Sequence, residues 1–257
     1  QALRFDLDWL YFRWFEHHLK EVDNGIDQTA PVEYYTLARR YGRPPKTGQC
    51  PRPGSPTCIW IVTAMPTPLP GTGGWLLPSR SGKLRRLRYD PENPSQHIID
   101  MSENEIEVPE DYTREELRQD LLCYTSPVLK EDLVLTGDMT AELYISSDAP
   151  DTDFVVRVTD VDENGRSIKL ADGLLSARYR NGFARSEFLQ EGEIVCLKIR
   201  TTKLSNCFRK GHRIRVTVTS SAKNFIFPNS NTREGFASAR TVVAHNRVYH
   251  GGCTPPA

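Results

Sequence analysis

The stretch 148-DAPDTDFVVRVTDVDENGRSIKLADGLLSARYRNG-182 decides how the chain is read. Phe154, Val156 and Val158 alternate with Val155, Arg157 and Thr159, the period-2 pattern of a strand buried on at least one face. Asp162-Glu163-Asn164-Gly165 then supplies turn chemistry, because Asn and Gly tolerate positive φ. Ile168 and Leu170 resume the strand pattern. The whole reads as sheet scaffold rather than as a catalytic segment.

Working outward, residues 121–250 carry further strand patterns at 121–125, 138–146, 193–200, 212–219 and 240–244, beside 153–161 and 167–180. In 212–219, Ile214, Val216 and Val218 alternate with Arg213, Arg215 and Thr217, which predicts one polar face. Many strands separated by turn signals predict an antiparallel sandwich or jelly roll. Residues 31–112 are loop-rich. Segments 42–58 and 65–74 are crowded with Pro and Gly and read as surface excursions, with short strands expected near 31–38, 59–64 and 75–77. Thr113-x-x-Glu116 fits a capping box for a short helix.

Residues 3–20 read as an amphipathic helix. Leu3, Leu7, Leu10, Tyr11, Trp14, Phe15 and His18 fall at i, i+3, i+4 spacing, and Arg4, Asp8, Arg13, Glu16 and Lys20 fill the other faces. Asp23-Asn24-Gly25 is the expected stop. The apolar stripe is too wide for a solvated helix, so Leu7, Leu10, Tyr11, Trp14 and Phe15 are expected to pack on another domain. The organisation expected is a helical segment at 1–30, a linking region at 31–120 and a β core at 121–257, with 31–257 forming one domain.

Composition excludes several function classes. The chain has 257 residues, and 33 Lys and Arg balance 33 Asp and Glu. Zero net charge gives no reason to expect nucleic acid or an anionic membrane as partner. No apolar run approaches the ~18–20 residues needed to span a bilayer. No signal peptide is visible at Gln1-Ala2-Leu3-Arg4-Phe5-Asp6, and a first residue other than Met reads as a cut. The expected location is the cytoplasm, homo-oligomers remain open, and no cofactor is expected. The cysteines at 50, 58, 123, 196, 207 and 253 make no zinc spacing. Cys196 reads as a small buried hydrophobe. Cys50 and Cys58 would bridge only in an oxidising compartment, and free thiols are the simpler expectation.

Catalytic motifs are missing. No G-x-S-x-G elbow occurs, and Ser55 sits trapped between Gly54 and Pro56. The histidines at 17, 18, 97, 212, 245 and 250 lie in no nucleophile context. Asp148, Asp151 and Asp153 form a weak calcium candidate. The simpler reading has them capping their own turn and pairing with Arg178 or Arg180. Asp160, Asp162 and Asp172 read as turn and strand-end residues.

Several segments resemble one family in the expected order: Leu122-Cys123-Tyr124-Thr125-Ser126-Pro127, Val134-Leu135-Thr136-Gly137, SDAPDTDF at 147–154, Asp172-Gly173 with Ala177-Arg178-Tyr179-Arg180, Leu204-Ser205-Asn206-Cys207-Phe208, and Gly211-His212-Arg213-Ile214-Arg215-Val216. They resemble the C-terminal domain of the X-Pro dipeptidyl-peptidase and cocaine-esterase-like (CocE/NonD) acyl esterases. RFDLDWLYFRWFEHHLKEVDNG, at 4–25, resembles the helix that follows the catalytic domain there, and 60–84 with Tyr89-Asp90-Pro91 fits the linking region more loosely.

The resemblance implies a mostly β chain, a jelly-roll (galactose-binding-like) β-sandwich with an N-terminal helix left from an α/β-hydrolase domain. It implies that the serine, aspartate and histidine of catalysis all precede Gln1, so no catalytic residue is carried onto this chain. The sandwich would pack on the upstream α/β-hydrolase domain and help wall its active-site cleft. Two departures stand out: residues 42–58 look inserted, and the chain stops at Pro255-Pro256-Ala257, where the family continues into a last strand. The expected role is a non-catalytic accessory domain of a serine hydrolase. The alternative is a free-standing jelly-roll binding module for carbohydrate or adhesion, and the three aspartates raise a calcium-stabilised version of it.

Overall fold

The computed structural model describes residues 6–29, 36–38, 57–60, 75–76, 84–98, 109–137 and 139–249. The chain forms two compact units, residues 1–35 with 42–50, and residues 36–41 with 51–257.

The first unit carries helix α1 (Leu7–Lys20). Asp6 caps its start, accepting from the backbone N–H of Asp8 at 3.0 Å and of Trp9 at 3.2 Å. The stop comes earlier than Asp23-Asn24-Gly25 suggests. Glu21 itself takes the left-handed conformation (φ 54°), and its N–H bonds the Glu16 carbonyl. Asn24 instead ties the following turn back to the helix. Its Nδ2 donates to the Arg13 carbonyl at 2.6 Å, and Arg13 Nη2 donates to the Asn24 carbonyl at 2.8 Å.

The strands among the described residues lie in the second unit: β1 (Thr57–Trp60), β2 (Trp75–Leu76), β3 (Leu84–Tyr89), β4 (Leu122–Thr125), β5 (Leu133–Gly137), β6 (Met139–Ser146), β7 (Asp153–Val161), β8 (Ser167–Ser176), β9 (Val195–Arg200), β10 (Leu204–Phe208), β11 (Arg213–Thr219) and β12 (Ala244–Tyr249). One sheet has the antiparallel order β4-β11-β7-β8. In the other, β6 pairs antiparallel with β9 and β12, β12 carries β3, and β1 and β2 add short parallel pairings. β5 and β10 form a separate antiparallel pair. The hairpin between β7 and β8 is the one its sequence predicts. Asp162 Oδ1 accepts from the N–H groups of Asn164 and Arg166, both at 2.9 Å, and Gly165 sits at φ 83°.

Phe154, Val156, Val158, Val216, Val218 and Leu122 from the first sheet join Leu143, Ile145, Leu197, Ile199, Val248 and Leu87 from the second in one apolar cluster. The protein is therefore a β-sandwich. Close approach at one corner requires a glycine. A Cβ on Gly173 of β8 would lie 2.3 Å from the Arg200 carbonyl oxygen.

Several expectations need correction. In β7, Asp153 to Thr159 are all buried, and the polar face of β11 is only partly solvated, with Arg213 and Arg215 half-buried and Thr217 buried. Residues 95–98 and 110–117 lie over this face and meet it with charge. The buried Glu116 carboxylate accepts from Ser167 Oγ at 2.9 Å, from Thr159 Oγ1 at 3.3 Å and from Arg215 Nη1. Tyr112 stacks 3.7 Å beneath the Arg157 guanidinium. Glu116 is thus not half of a capping box, and the short turn Glu115–Leu117 has no side-chain cap. Asp172 is no strand-end residue either. It is buried in mid-strand, with Lys169 Nζ at 3.0 Å and His97 Nε2 at 3.2 Å from its carboxylate.

The last strand is 244–249 rather than 240–244; it buries Asn246 between Ala244 and Val248, which blurs its alternation. The run at 167–180 ends as strand at Ser176 and continues as a 3-10 turn over Ala177–Tyr179. β3, β5 and β10 carry no clear alternation and went unpredicted. β3, within the region 31–120, pairs with β12 of the sandwich. Cys196 is half-buried beside Tyr144 rather than in the core. Of the 31–38 strand, the described part is one bridge from Leu37 to Asn206. Cys50, His250, most of 42–58 and the C-terminal 250–257 lie outside the described residues.

Candidate functional site: the acidic turn and the apolar surfaces

The turn entering β7 separates its three aspartates. Asp148 is exposed and turns toward β12, accepting from the His245 backbone N–H and meeting its Nδ1, each at 2.7 Å. Burial pushes the Asp148 carboxyl up, but the bonds from His245 more than offset this and hold it below the ordinary range. Asp151 is fully buried. Its Oδ2 accepts from Arg178 Nε and from Asn229 Nδ2, both at 2.7 Å, and its Oδ1 accepts from the Arg178 backbone N–H at 3.0 Å. Asp153 shares Asn229 Nδ2 at 2.9 Å, and burial pushes its carboxyl up.

Of the three aspartates, Arg178 hydrogen-bonds Asp151. Arg180 turns away, donating to the carbonyls of Ala177 and Glu187. Among the described residues no group of three His, Cys, Asp or Glu side chains is placed to hold a metal ion. Asp148 is drawn to His245 while Asp151 and Asp153 share the Asn229 amide, so the three carboxylates do not converge on one point.

The buried Asp151–Arg178 pair organises one end of the sandwich. Arg178 Nη2 also donates to the Thr232 carbonyl at 3.2 Å, tying loop 177–189 to loop 225–240. Arg178 and Arg233 both lie over the Phe188 ring, at 5.1 and 4.5 Å from its centroid. On these loops Phe227 and Phe236 stack at 5.6 Å, and Phe183 leans on Tyr179 at 5.6 Å. Phe183, Phe227 and Phe236 are 81%, 77% and 70% exposed. Sequence reading missed them, because single phenylalanines among Gly, Asn and Pro carry no periodic signal.

On α1, exposure is not confined to a stripe. Leu10, Tyr11, Trp14 and Phe15 of the predicted set are exposed, and so are Trp9, Phe12 and Leu19. The helix is apolar over most of its circumference. Its histidines are held locally: His17 Nε2 is 3.0 Å from Asp27, and His18 packs on Trp14.

The other described histidines are placed as follows. His212 Nδ1 meets Asp160 at 2.8 Å, and His245 Nδ1 meets Asp148 at 2.7 Å. His97 is buried and stacks on Phe225. No described helix is long and apolar enough to cross a membrane.

Comparison with known proteins agrees with this architecture. The model of the X-Pro dipeptidyl-peptidase C-terminal non-catalytic domain matches residues 24–255. A cocaine esterase of Rhodococcus sp. (strain MB1 Bresler) is 36% identical over 188 residues, covering 70% of this chain and 32% of that protein. The chain thus spans about a third of the length of this relative. The structure of an aminopeptidase from a marine-sediment Thaumarchaeota archaeon superposes with a TM-score of 0.62 at 25% identity, covering 69% of this chain and 32% of that one. A CocE/NonD family hydrolase from Staphylococcus aureus shares the fold with a TM-score of 0.59 at 18% identity, over 97% of this chain and 44% of that one. With 232 consecutive residues matched by one family model, the chain belongs to the X-Pro dipeptidyl-peptidase C-terminal non-catalytic domain family, the C-terminal domain of CocE/NonD-like hydrolases.

Proposed function

We propose that this chain is the accessory domain of a serine hydrolase that cleaves esters or amides, packing on an upstream α/β-hydrolase domain and helping to wall its active-site cleft. The observation that carries the reading is α1. Trp9, Leu10, Tyr11, Phe12, Trp14, Phe15 and Leu19 are all exposed on a helix of 14 residues. Each such side chain gains about 1.5–3 kcal/mol on full burial, so a cover for this helix is strongly favoured. The similarity to an esterase supports the class of the partner domain. The alternative of a carbohydrate-binding module would place aromatics on a sheet face. Phe183, Phe227 and Phe236 lie instead in loops and one 3-10 turn.

The test compares the 257-residue chain with the whole protein, using a chromogenic short-chain ester. The chain alone should not turn over, and the whole protein should, in a manner abolished by a serine-directed covalent inhibitor. Trp14→Ala should destabilise the whole protein by about 3–5 kcal/mol in denaturant titration. Inhibitor-sensitive turnover by the chain alone, or a Trp14→Ala loss below about 0.5 kcal/mol, contradicts the reading.

A further inference from the structure

We propose that Phe183, Phe227 and Phe236, on the two loops joined through Arg178, form the surface of the sandwich that docks on the hydrolase domain. This rests on the reading above that such a domain accompanies the chain. Exposure and organisation together single out the patch. The three rings are among the most exposed large apolar side chains described. Yet the loops that carry them are fixed from below by buried groups: Asp151 with Arg178, Asn229 across Asp151 and Asp153, and Asn231 Nδ2 on the Val242 carbonyl at 2.6 Å. Burying a carboxylate and an arginine is costly and contributes little net stability, so the arrangement is explained by what it holds in place.

What it holds has the composition of an interface. Loops 177–189 and 225–240 together contain five arginines, five phenylalanines besides Tyr179, and no lysine. Aromatics and arginine are the residues enriched where proteins meet, and lysine is depleted there. Charge selects the occupant's chemistry. With Arg178 paired to Asp151 and Arg180 turned to the Ala177 and Glu187 carbonyls, the exposed Arg185, Arg233 and Arg240 still outnumber Glu187 and Glu234, so the complementary surface is apolar ground bordered by carboxylates. Size selects the occupant itself. The chain spans about a third of its cocaine esterase relative, and the remaining two thirds of such a protein is the nearest mass able to cover the rings.

The experiment uses the double variant Phe227→Ser/Phe236→Ser in the 257-residue chain and in the whole protein, with serine-inhibitor-sensitive esterase activity of the wild-type whole protein measured in parallel. Both positions are exposed in the chain, so its melting temperature should stay within about 2 °C. In the whole protein the variant should lower it by about 5 °C or more, and hydroxyl-radical labelling of Phe183, Phe227 and Phe236 should fall several-fold below that of Leu117, which is 81% exposed. Active whole protein whose three rings label as readily as Leu117 overturns the proposal while leaving the functional reading intact. Absence of a serine hydrolase activity overturns both. A chain that sediments as a dimer and becomes a monomer on double substitution assigns the patch to a second copy, which also overturns it.

Discussion

The sheet β4-β11-β7-β8 has two buried faces of opposite chemistry. On one, Phe154, Val156, Val158, Val216 and Val218 fill the core between the sheets. On the other, Arg157, Thr159, Asp172, Arg215 and Thr217 lie beneath the segment that carries His97, Glu110, Tyr112 and Glu116. Burial on the first face removes apolar surface from water and needs no orientation. Burial on the second is tolerable only because nearly every charge finds a partner: Glu116 with Arg215, and Asp172 and Glu110 with Lys169. The apolar face supplies stability, and the charged face specifies where the covering segment lies. Four substitutions or titrations separate the two contributions.

The largest effect belongs to the apolar face. Phe154 is fully buried, and Phe154→Ala should cost about 3–5 kcal/mol in urea or guanidinium unfolding. A cost close to 1 kcal/mol would mean the space between the sheets collapses freely, and the contrast with the charged face would lose its basis.

Glu116→Ala comes next. It leaves Arg215 without its carboxylate and strips an acceptor from Ser167 and Thr159, at a cost of about 2–3 kcal/mol. Hydrogen exchange should rise at Tyr112, whose N–H bonds the Ser167 carbonyl, before it rises in β7. Uniform exchange across both would show that the covering segment and the sheet open as one unit.

This second face shows where sequence reading stops. The alternation in β7 and β11 was legible, and so were the hairpin at Asp162–Gly165 and the helix α1, because each is a local signal. What covers a face is not local. Arg215 and Thr217 look like solvated residues until Glu116, about a hundred positions earlier, is brought over them. His97, Lys169 and Asp172 carry no common motif for the same reason. The acidic turn was half legible. Asp151 does pair with Arg178, but the partners of Asp148 and Asp153 come from residues 245 and 229, on segments with no pattern linking them to the turn. Exposed aromatics were foreseen on α1, where helical spacing groups them, and missed on the loops, where nothing does.

A pH titration probes the charged face without a cavity. Burial pushes the Asp172 carboxyl up, but hydrogen bonds from His97 and Lys169 and their charges outweigh it and hold the pKa down, from 3.8 to about 2. Because the folded value lies below the unfolded one, the stabilisation is present above about pH 4 and is lost as pH falls toward 2. It amounts to about 2 kcal/mol. Glu110 faces the same lysine and histidine, so the measurement is a difference: unfolding midpoints of the native chain and Asp172→Asn between pH 2 and 6. The gap should be widest above pH 4 and close near pH 2. A gap independent of pH would show that shape rather than charge makes Asp172 matter.

The smallest effect should have the opposite sign. Arg157 is 1% exposed, and none of its three guanidinium nitrogens has a hydrogen-bond partner among the described residues. Its one described compensation is the Tyr112 ring 3.7 Å away, worth about 2 kcal/mol for a desolvated cation. The cost of burying a charge without hydrogen bonds is several kcal/mol. Arg157→Met keeps the length of the side chain and its contact with the Tyr112 ring while removing the charge. Stability should therefore rise, by about 1 kcal/mol, while Phe154→Met on the opposite face of the same strand should lower it. If Arg157→Met instead costs more than about 1 kcal/mol, the charge is contributing to stability, and the two faces differ less than their chemistry indicates.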